Sequence, residues 1–294
     1  MSPERAPQPT FLVIGAMKAG TTSLYHYLRE HPQIFMPKVK ELDFFAVDES
    51  WRRGPDWYRR QFAGAGPAAS AIGEASTAYT KFPHYPFVPE RIANHLPDAK
   101  LVYVVRNPID RIYSHYRHRV AVGAERLPIE RALLTEAIYV DYSRYAFQLQ
   151  QYVPHFPRER MLVVASEALR NDRKATVRGV YAFLGVDDAF VPPSLAREFY
   201  RSQNRPVYPS ALWTVRRAVR RRIPAAKRAK ELVDSLGRSV RRSDVAAADD
   251  QSGNGAAETG IPAVVRSALE DLLREDVGRL RSFLGPEFDG WGIA

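Results

Sequence analysis

Short apolar runs recur along the chain, and the stretches between them place their apolar residues at helical spacing. Buried strands are predicted at 11–14, 70–73, 101–105 and 161–165. Helices are predicted at 21–30, 145–152, 176–184 and 264–284. Strands that alternate with helices are typical of a parallel α/β sheet. We therefore predict a single α/β domain in which a parallel sheet is flanked by helices on both faces.

A glycine-bearing turn joins the first predicted strand to the first predicted helix. Its sequence is Gly15-Ala16-Met17-Lys18-Ala19-Gly20-Thr21-Thr22. Nucleotide triphosphatases use G-x-x-x-x-G-K-[ST], in which the lysine follows the second glycine. Here Thr21 stands at that position and Lys18 lies inside the loop. Backbone N–H groups and the helix dipole converge at such a junction, which predicts a phosphate site and a P-loop-type sheet; a tight turn without a ligand is the alternative.

A second candidate anion contact follows the strand predicted at 101–105. Arg106 comes at the carboxyl end of this strand, and the Asn-Pro pair after it suits the start of a helix. Open α/β sheets bind ligands at the carboxyl ends of their strands, so we expect Arg106 to face a ligand. Arg111 and Ser114 are three residues apart and share one helical face. We expect Arg111 to brace the helix through a salt bridge.

These two motifs belong to a longer ordered set. The other members are His31-Pro32, Lys40-Glu41-Leu42-Asp43-Phe44-Phe45, Gly54-Pro55-Asp56-Trp57-Tyr58 and Gly73-Glu74-Ala75-Ser76-Thr77-Ala78-Tyr79. Over roughly residues 11–200, the set resembles the sulfotransferases that use 3′-phosphoadenosine 5′-phosphosulfate (PAPS), especially the group of the heparan sulfate N- and 3-O-sulfotransferases and their bacterial relatives. The resemblance implies an enzyme that moves the sulfuryl group of PAPS to a hydroxyl or amine and releases adenosine 3′,5′-bisphosphate.

The resemblance also implies roles for individual residues. Donor contacts are implied at Gly15, Lys18, Ala19, Gly20, Thr21, Thr22, Arg106 and Ser114, of which the last two hold the 3′-phosphate. Glu41 is implied as the general base, and Lys18 as the cation that stabilises the phosphosulfate. Asp43 and His31 are weaker candidates for the base, and an ion pair of Glu41 with Lys38 or Lys40 is the non-catalytic alternative. Weaker acceptor contacts are implied at Lys40, Phe44, Phe45, Glu74 and Tyr79.

One position departs from the family pattern. The animal enzymes usually have a lysine after the glutamate of the last motif, where this chain has Ala75. That lysine contacts sulfate or acceptor in the relatives, so a heparan-type acceptor is in doubt while use of the donor is unaffected. Lys40 and Lys81 are candidate replacements, although neither stands at the motif position of the missing lysine. The acceptor therefore stays open among a carbohydrate, a lipid and a small metabolite, as does the choice between O- and N-sulfation.

Composition narrows the functional classes. The 294 residues include no cysteine, which excludes disulfides and thiolate metal sites. The histidines show no metal spacing, and Lys18 takes the place of a cation, so we expect no metal requirement. Residues 1–10 lack the apolar core of a secretory signal, and no apolar stretch has transmembrane length. We predict a flexible N-terminus at 1–10 and a cytoplasmic enzyme, and the resemblance implies a bacterial one.

The sulfotransferase domain is predicted over 11–294, with an unusual segment at about 201–260 and a C-terminal helix at about 261–285. Residues 201–230 carry ten basic and no acidic side chains, and the residues after 244 resemble a flexible linker. The basic segment has three interpretations: a solvated helix face, part of the donor enclosure, or an attraction for an anionic acceptor or a membrane surface. Sparse aromatic residues disfavour nucleic acid as its partner.

Two other functions stay open from the sequence. A P-loop kinase would share the fold, but it needs Mg²⁺ held by a loop hydroxyl and an acid at a strand end, and only Glu74 could supply that acid. An inactive relative that binds polyanions would use the basic segment alone. The presence of Lys18, Glu41, Arg106 and Ser114 favours the enzyme.

Overall fold

The structure is a computed structural model that describes residues 7–197, 199 and 260–294. Within these residues, five parallel strands form one sheet in the order β2-β3-β1-β4-β5. The strands are β1 (Phe11–Gly15), β2 (Ile34–Phe35), β3 (Ala71–Ala75), β4 (Lys100–Val105) and β5 (Met161–Ala165). β1 and β3 are buried along their whole length, as expected of parallel strands that are covered on both faces. The predicted parallel α/β fold is confirmed.

Helices connect the strands and flank the sheet. They are α1 (Thr21–Glu30), α2 (Asp48–Trp51), α3 (Gly54–Arg60), α4 (Val88–His95), α5 (Pro108–Ala121), α6 (Ile129–Thr135), α7 (Ala137–Asp141), α8 (Tyr145–Gln150), α9 (Ser166–Asn171), α10 (Arg173–Leu184) and α11 (Ala263–Leu284). Short 3₁₀ turns occupy Thr77–Thr80, Arg158–Arg160 and Gly290–Gly292. Each of the four helices predicted from the sequence is present, with ends shifted by a few residues at most.

The core has two parts. The larger part surrounds the sheet, and the smaller part lies where α11 packs against α5, α6 and α7. α11 buries Val265, Leu269 and Leu273 in the smaller part, which attaches the end of the chain to the domain. Val264 and Leu272, which belong to the apolar stripe predicted for this helix, are exposed because they lie one residue before the buried row.

Several predicted features fall outside the described residues. These are most of the flexible N-terminus predicted at 1–10, the basic segment at 201–230 and the linker that follows it. In the part of the chain that the structure describes, no helix combines the length and apolar character needed to cross a membrane.

The strand order defines where a ligand can bind. From β1 the chain continues to β2 and β3 on one side of the sheet, whereas β4 and β5 lie on the other side. The crevice at the carboxyl ends of β1 and β4 is therefore a topological switch point, where open α/β sheets bind their ligands. The glycine-bearing loop follows β1 and Arg106 follows β4, so the topology brings the two predicted anion contacts to the same crevice.

Candidate functional site

The glycine-bearing loop (residues 15–20) leads directly into the N-terminus of α1. Gly20 is the N-cap of α1 with a left-handed φ of 96°, and no side chain of the described residues caps this helix. A helix N-terminus without a side-chain cap, with the positive end of its dipole toward the loop, is an arrangement that favours anions. The first glycine of the loop is tightly enclosed, since a Cβ on Gly15 would lie 2.0 Å from Thr80 Oγ1. Lys18 has a left-handed φ of 73° in the middle of the loop.

Other strand ends approach this loop. Thr80, which ends the turn after β3, donates from Oγ1 to the carbonyl of Ile14 at 3.2 Å. Ser166 follows β5, and its Oγ would lie 3.5 Å from a Cβ on Gly20. The carboxyl edge of the sheet thus gathers groups from β1, β3 and β5 around one loop.

Arg106 lies at the end of β4, where it was expected. Its Nη2 donates to Asp110 Oδ2 at 3.1 Å. Its Nε is buried and has no hydrogen-bond partner among the described residues. Asp110 and Ser114 are four residues apart on α5, so the guanidinium reaches the helical face that carries Ser114. A guanidinium with a buried N–H that has no partner in the described chain suits a phosphate group.

The backbone around Arg106 is held on both sides. Asn107 caps α5 as predicted, with its side chain accepting from the N–H groups of Ile109 and Asp110. The N–H of Asn107 donates to Glu167 Oε1 at 3.0 Å, and the hydroxyl of Tyr145 donates to the carbonyl of Arg106 at 2.8 Å. These contacts fix the direction in which the arginine leaves the strand.

Arg111 braces α5, but without the expected salt bridge. The side chain is fully buried and donates from Nε to Ser143 Oγ at 2.6 Å and from Nη2 to the carbonyl of Tyr139 at 2.8 Å. No carboxylate of the described residues forms an ion pair with it. The expectation of an ion pair is wrong because the helix turns Arg111 toward the interior, where its partners are neutral oxygens, while Asp110 pairs with Arg106.

Glu41 lies beside the carboxyl end of β3. Its N–H donates to the carbonyl of Ala75 at 2.9 Å, and its Oε1 accepts from Lys40 Nζ at 2.9 Å and from Thr77 Oγ1 at 3.2 Å. Burial favours a higher pKa for Glu41, but the charge and hydrogen bond of Lys40 and the Thr77 hydroxyl outweigh it and lower the pKa. The carboxylate is therefore ionised at neutral pH. The ion pair with Lys40 is present, and the side chain of Glu41 is still 48% exposed.

Asp43 and Lys81 share the electrostatic environment of Glu41. Burial and the charge of Glu41 raise the pKa of Asp43. Burial lowers the pKa of Lys81, and the carboxylates of Asp43 and Glu41 oppose that effect. The Oδ1 atom of Asp43 is buried and lacks a hydrogen-bond partner within the described chain. Lys81 therefore places a positive charge near the carboxylates of Asp43 and Glu41, although it does not stand at the position of the family lysine.

The residues with weaker predicted acceptor roles lie at different depths. Phe44 and Phe45 have no exposed surface, and Glu74 and Tyr79 are 1% and 2% exposed. These four side chains are buried, whereas Lys40 is partly exposed and pairs with Glu41.

His31, the other candidate base, is occupied elsewhere. Its Nδ1 accepts from the N–H of Gln33 at 3.0 Å, and its Nε2 lies 2.9 Å from the carbonyl of Asp187. The buried ring therefore shapes the turn after α1. Across residues 7–197, 199 and 260–294, no group of three or more histidine, aspartate and glutamate side chains is arranged to hold a metal ion.

Several contributors to the site had no role assigned from the sequence. Thr77 and Thr80 link Glu41 to β1, Asp110 orients Arg106, and Ser166 borders the loop. Thr77 lies inside a quoted motif, which is a signal that it belongs to the site. Its contact with Glu41 depends on how the turn after β3 folds against residues 36 positions earlier, which the local sequence does not specify.

Comparison with known proteins identifies the class. The model described as the Sulfotransferase family matches residues 9–190, which is more than half of the chain. The chain therefore belongs to the sulfotransferase family. A crystal structure of a sulfotransferase from Alicyclobacillus acidocaldarius superposes with a TM-score of 0.68 and 26% identity, covering 97% of this chain and 99% of that one.

Human proteins share part of the sequence. The human bifunctional heparan sulfate N-deacetylase/N-sulfotransferase 3 is 32% identical over 199 residues, covering 60% of this chain and 22% of that protein. The human bifunctional heparan sulfate N-deacetylase/N-sulfotransferase 2 is 29% identical over 200 residues, with the same coverage. The chain thus spans about a fifth of the length of these curated relatives.

Proposed function

We propose that this protein transfers the sulfuryl group of PAPS to a hydroxyl or amine, with Glu41 as the general base. The observation that carries the proposal is the turn Thr77–Thr80, which contacts both halves of the site. Its first hydroxyl donates to Glu41, and its last hydroxyl donates to the carbonyl of Ile14 just before the loop. A partly exposed carboxylate is thereby held next to an anion site.

The donor has two anionic regions, and the site offers a place for each. The loop and the start of α1 suit the 5′-phosphosulfate, with contacts from Gly15, Lys18, Ala19, Gly20, Thr21 and Thr22. Arg106 and Ser114 suit the 3′-phosphate, and the buried Nε of Arg106 without a partner in the described chain supports this assignment. A nucleotide with phosphates at both the 3′ and 5′ positions therefore fits better than one with a 5′ chain alone.

The reaction assigns one task to each charged residue. The acceptor oxygen or nitrogen forms a bond to sulfur as the bond from sulfur to the phosphate oxygen breaks. Glu41 receives the proton of the acceptor, and adenosine 3′,5′-bisphosphate leaves. Lys18 stabilises the negative charge on the departing phosphate, a kind of preorganised contact that contributes on the order of a few kcal/mol.

A glycan is the first acceptor class to test, because the human relatives are named for heparan sulfate. The family lysine is replaced by Ala75, and we propose that Lys81 supplies the missing cation beside Glu41. Lipids and small metabolites are the other acceptor classes. A cytoplasmic location, independence from metal ions and membrane contact through the basic segment stay predictions from the sequence.

A kinase that uses ATP and Mg²⁺ is the second candidate, and the contacts of Glu74 disfavour it. Glu74 is 1% exposed and accepts hydrogen bonds from Ser76, Tyr79 and Tyr58. These bonds hold the carboxylate inside the core, so it does not serve as the acid that a kinase presents to a metal ion. An inactive polyanion-binding protein is the third candidate, and the assay below separates it from an enzyme.

The test is incubation of the pure protein with sulfur-labelled PAPS and fractionated extracts. We expect label to move from PAPS to an acceptor, to depend on Lys18, and to survive EDTA. Label transferred from the γ-phosphate of ATP, or transfer that EDTA abolishes and Mg²⁺ restores, would support the kinase. An absence of transfer from both donors, with polyanion binding retained, would support the inactive protein.

A further inference from the structure

Glu74 is a buried carboxylate that neither donor binding nor proton transfer uses. Three hydroxyls donate to it: Ser76 Oγ to Oε2 at 2.6 Å, Tyr79 to Oε1 at 2.5 Å and Tyr58 to Oε1 at 3.3 Å. In the part of the chain that the structure describes, no lysine or arginine forms a salt bridge with it. A carboxylate buried among neutral donors is costly for the fold. We therefore asked which other groups the three hydroxyls contact.

Two of these hydroxyls also hold the segment that carries Glu41, which we call the base segment (residues 41–45). Its backbone N–H groups donate to them, from Asp43 to Ser76 Oγ at 3.0 Å and from Phe45 to the Tyr79 hydroxyl at 3.5 Å. Each hydroxyl gives its proton to Glu74 and offers a lone pair to the base segment. Two chains of hydrogen bonds therefore connect Glu74 to the backbone on which Glu41 is mounted.

The base segment has a conformation that needs such support. Glu41 has a φ of 64° and Asp43 a φ of 50°, in the left-handed region that residues other than glycine rarely adopt. Backbone of this kind persists only where the surrounding contacts fix it. The N–H of Glu41 bonds to the carbonyl of Ala75, and the two hydroxyl contacts fix the residues that follow.

We propose that ionised Glu74 is a positioning residue for Glu41, because it orients the Ser76 and Tyr79 hydroxyls so that both accept from the base segment. The inference rests on the proposed function, in which Glu41 is the base. Glu74 acts through the segment and is too deeply buried to touch donor or acceptor. When Glu74 is protonated, one of its oxygens becomes a donor, and the hydroxyl that donated to that oxygen loses its acceptor. The proton of that hydroxyl then turns toward the base segment, where it competes with the backbone N–H that the hydroxyl had accepted from.

This role couples positioning to pH. Burial raises the pKa of Glu74 from 4.5 to about 7, the charge of Asp43 adds to the effect, and the hydroxyls of Ser76, Tyr79 and Tyr58 oppose it. These side chains, from the base segment, the turn after β3 and α3, are the titratable and polar groups that face Glu74. Because the folded pKa is the higher one, ionisation of Glu74 reduces folding stability as the pH rises from about 4.5 to about 7. Positioning should improve as Glu74 becomes ionised, over about one pH unit on either side of its pKa of about 7.

A pair of tyrosine variants gives a matched test. Tyr79→Phe removes a hydroxyl that links Glu74 to the base segment, whereas Tyr58→Phe removes one that contacts Glu74 without such a link. Since a misplaced catalytic group can cost about 10²-fold, we expect Tyr79→Phe to lower kcat at least about tenfold and to speed amide exchange in residues 41–45. Tyr58→Phe should change both by less than about threefold. Equal effects of the two variants would overturn the proposal.

Glu74→Gln tests the charge itself. The wild-type kcat should rise between about pH 6 and pH 8, and the variant should lose this rise and stay at least about tenfold slower at pH 8. Its affinity for adenosine 3′,5′-bisphosphate and the amide exchange of α1 should match the wild type. A variant with the wild-type pH profile and rate would refute the positioning role. If the wild type itself transfers nothing from PAPS, the proposed function fails, and amide exchange in residues 41–45 still decides whether Glu74 holds the segment.

Discussion

Among single residues, Glu41 and Lys18 carry separable parts of the proposed chemistry. In the proposed reaction, Glu41 takes the proton of the acceptor, and Lys18 lies in the loop assigned to the phosphosulfate. A substitution at Glu41 should therefore affect turnover alone, whereas one at Lys18 should affect both turnover and donor binding.

We predict that Glu41→Gln lowers kcat by roughly 10² to 10⁴, because the amide keeps the shape but cannot take a proton. The affinity for adenosine 3′,5′-bisphosphate should stay within about twofold of the wild type, since the base does not contact the donor phosphates. Initial rates with labelled PAPS and calorimetric titration measure the two quantities. Lys18→Ala is the contrasting variant and should weaken both. Near-normal turnover of Glu41→Gln would move the base elsewhere, with Asp43 as the next candidate.

Gly15 provides a steric prediction at the loop. Gly15→Ala puts a Cβ 2.0 Å from Thr80 Oγ1 and 3.0 Å from the ring of Tyr103. Overpacking of this kind costs about 1–3 kcal/mol of folding stability, and displacement of the loop should also weaken bisphosphate binding at least about tenfold. Denaturant unfolding and calorimetry provide the readouts. The control is Gly179→Ala on α10, where a Cβ meets nothing within 4 Å and alanine favours the helix. A loss at Gly179 as large as at Gly15 would contradict this account.

Among the elements, α11 supports the site from a distance. Its Asp276 accepts from the N–H of Ala146 at 3.0 Å and from the N–H of Phe147 at 2.8 Å, at the start of α8. α8 in turn carries Tyr145, whose hydroxyl bonds to the carbonyl of Arg106. α11 thus caps the start of α8, and α8 holds the backbone of Arg106.

We predict that Asp276→Ala lowers the free energy of unfolding by about 1–3 kcal/mol, because one buried and one partly buried N–H group lose their acceptor. Urea titration measures the loss. Asp271→Ala on the same helix is the control, since that side chain is 69% exposed and its ion pair with Arg274 should contribute less than about 1 kcal/mol. Equal losses for the two aspartate variants would show that the cap contributes nothing of its own.

Elements with strong local signals could be predicted from the sequence. β1 and β4 are apolar runs, and α5 begins with a side-chain cap and a proline, so each is specified within a few residues. β2 spans two residues and α2 spans four, which is too short for any periodic pattern to show. Their existence depends on pairing and packing with distant parts of the chain.

The candidate site likewise has residues that the sequence points to and contacts that only the fold reveals. Lys18 and Arg106 are predicted from their positions after apolar runs, and Glu41 from the family resemblance, and all three roles stay predictions. The contacts of Glu41 with Thr77, and of Arg111 with neutral oxygens, depend on which side chains the fold brings together. A sequence motif includes Glu74, but only the fold shows that this carboxylate is buried and connected through hydroxyls to residues 41–45.

For the whole molecule, the formal charge of +10 favours association with anionic partners. Ten of its basic residues lie in 201–230, which we assign to the acceptor side because the loop, Arg106 and Ser114 suffice for the donor. We predict that replacing Arg216, Arg217, Arg220, Arg221 and Arg222 with Gln raises KM for an anionic acceptor several-fold at low salt. Exposed charges are screened over about 8 Å at physiological ionic strength, so the effect should fade as salt increases.

The control for this variant is titration with adenosine 3′,5′-bisphosphate at two salt concentrations. The variant should bind adenosine 3′,5′-bisphosphate about as tightly as the wild type at both salt concentrations. A large loss of affinity that salt does not alter would identify the basic segment as part of the donor enclosure and contradict the assignment.

The central claim is that the site recognises a nucleotide phosphorylated at both the 3′ and 5′ positions, and calorimetric titration tests it most directly. Adenosine 3′,5′-bisphosphate should bind at least about tenfold more tightly than AMP or ATP, since a hydrogen bond to a charged group contributes about 1.5–3 kcal/mol and 1.4 kcal/mol is tenfold. Arg106→Gln should remove most of that preference. Equal affinity of the wild type for ATP, AMP and the bisphosphate would contradict the account.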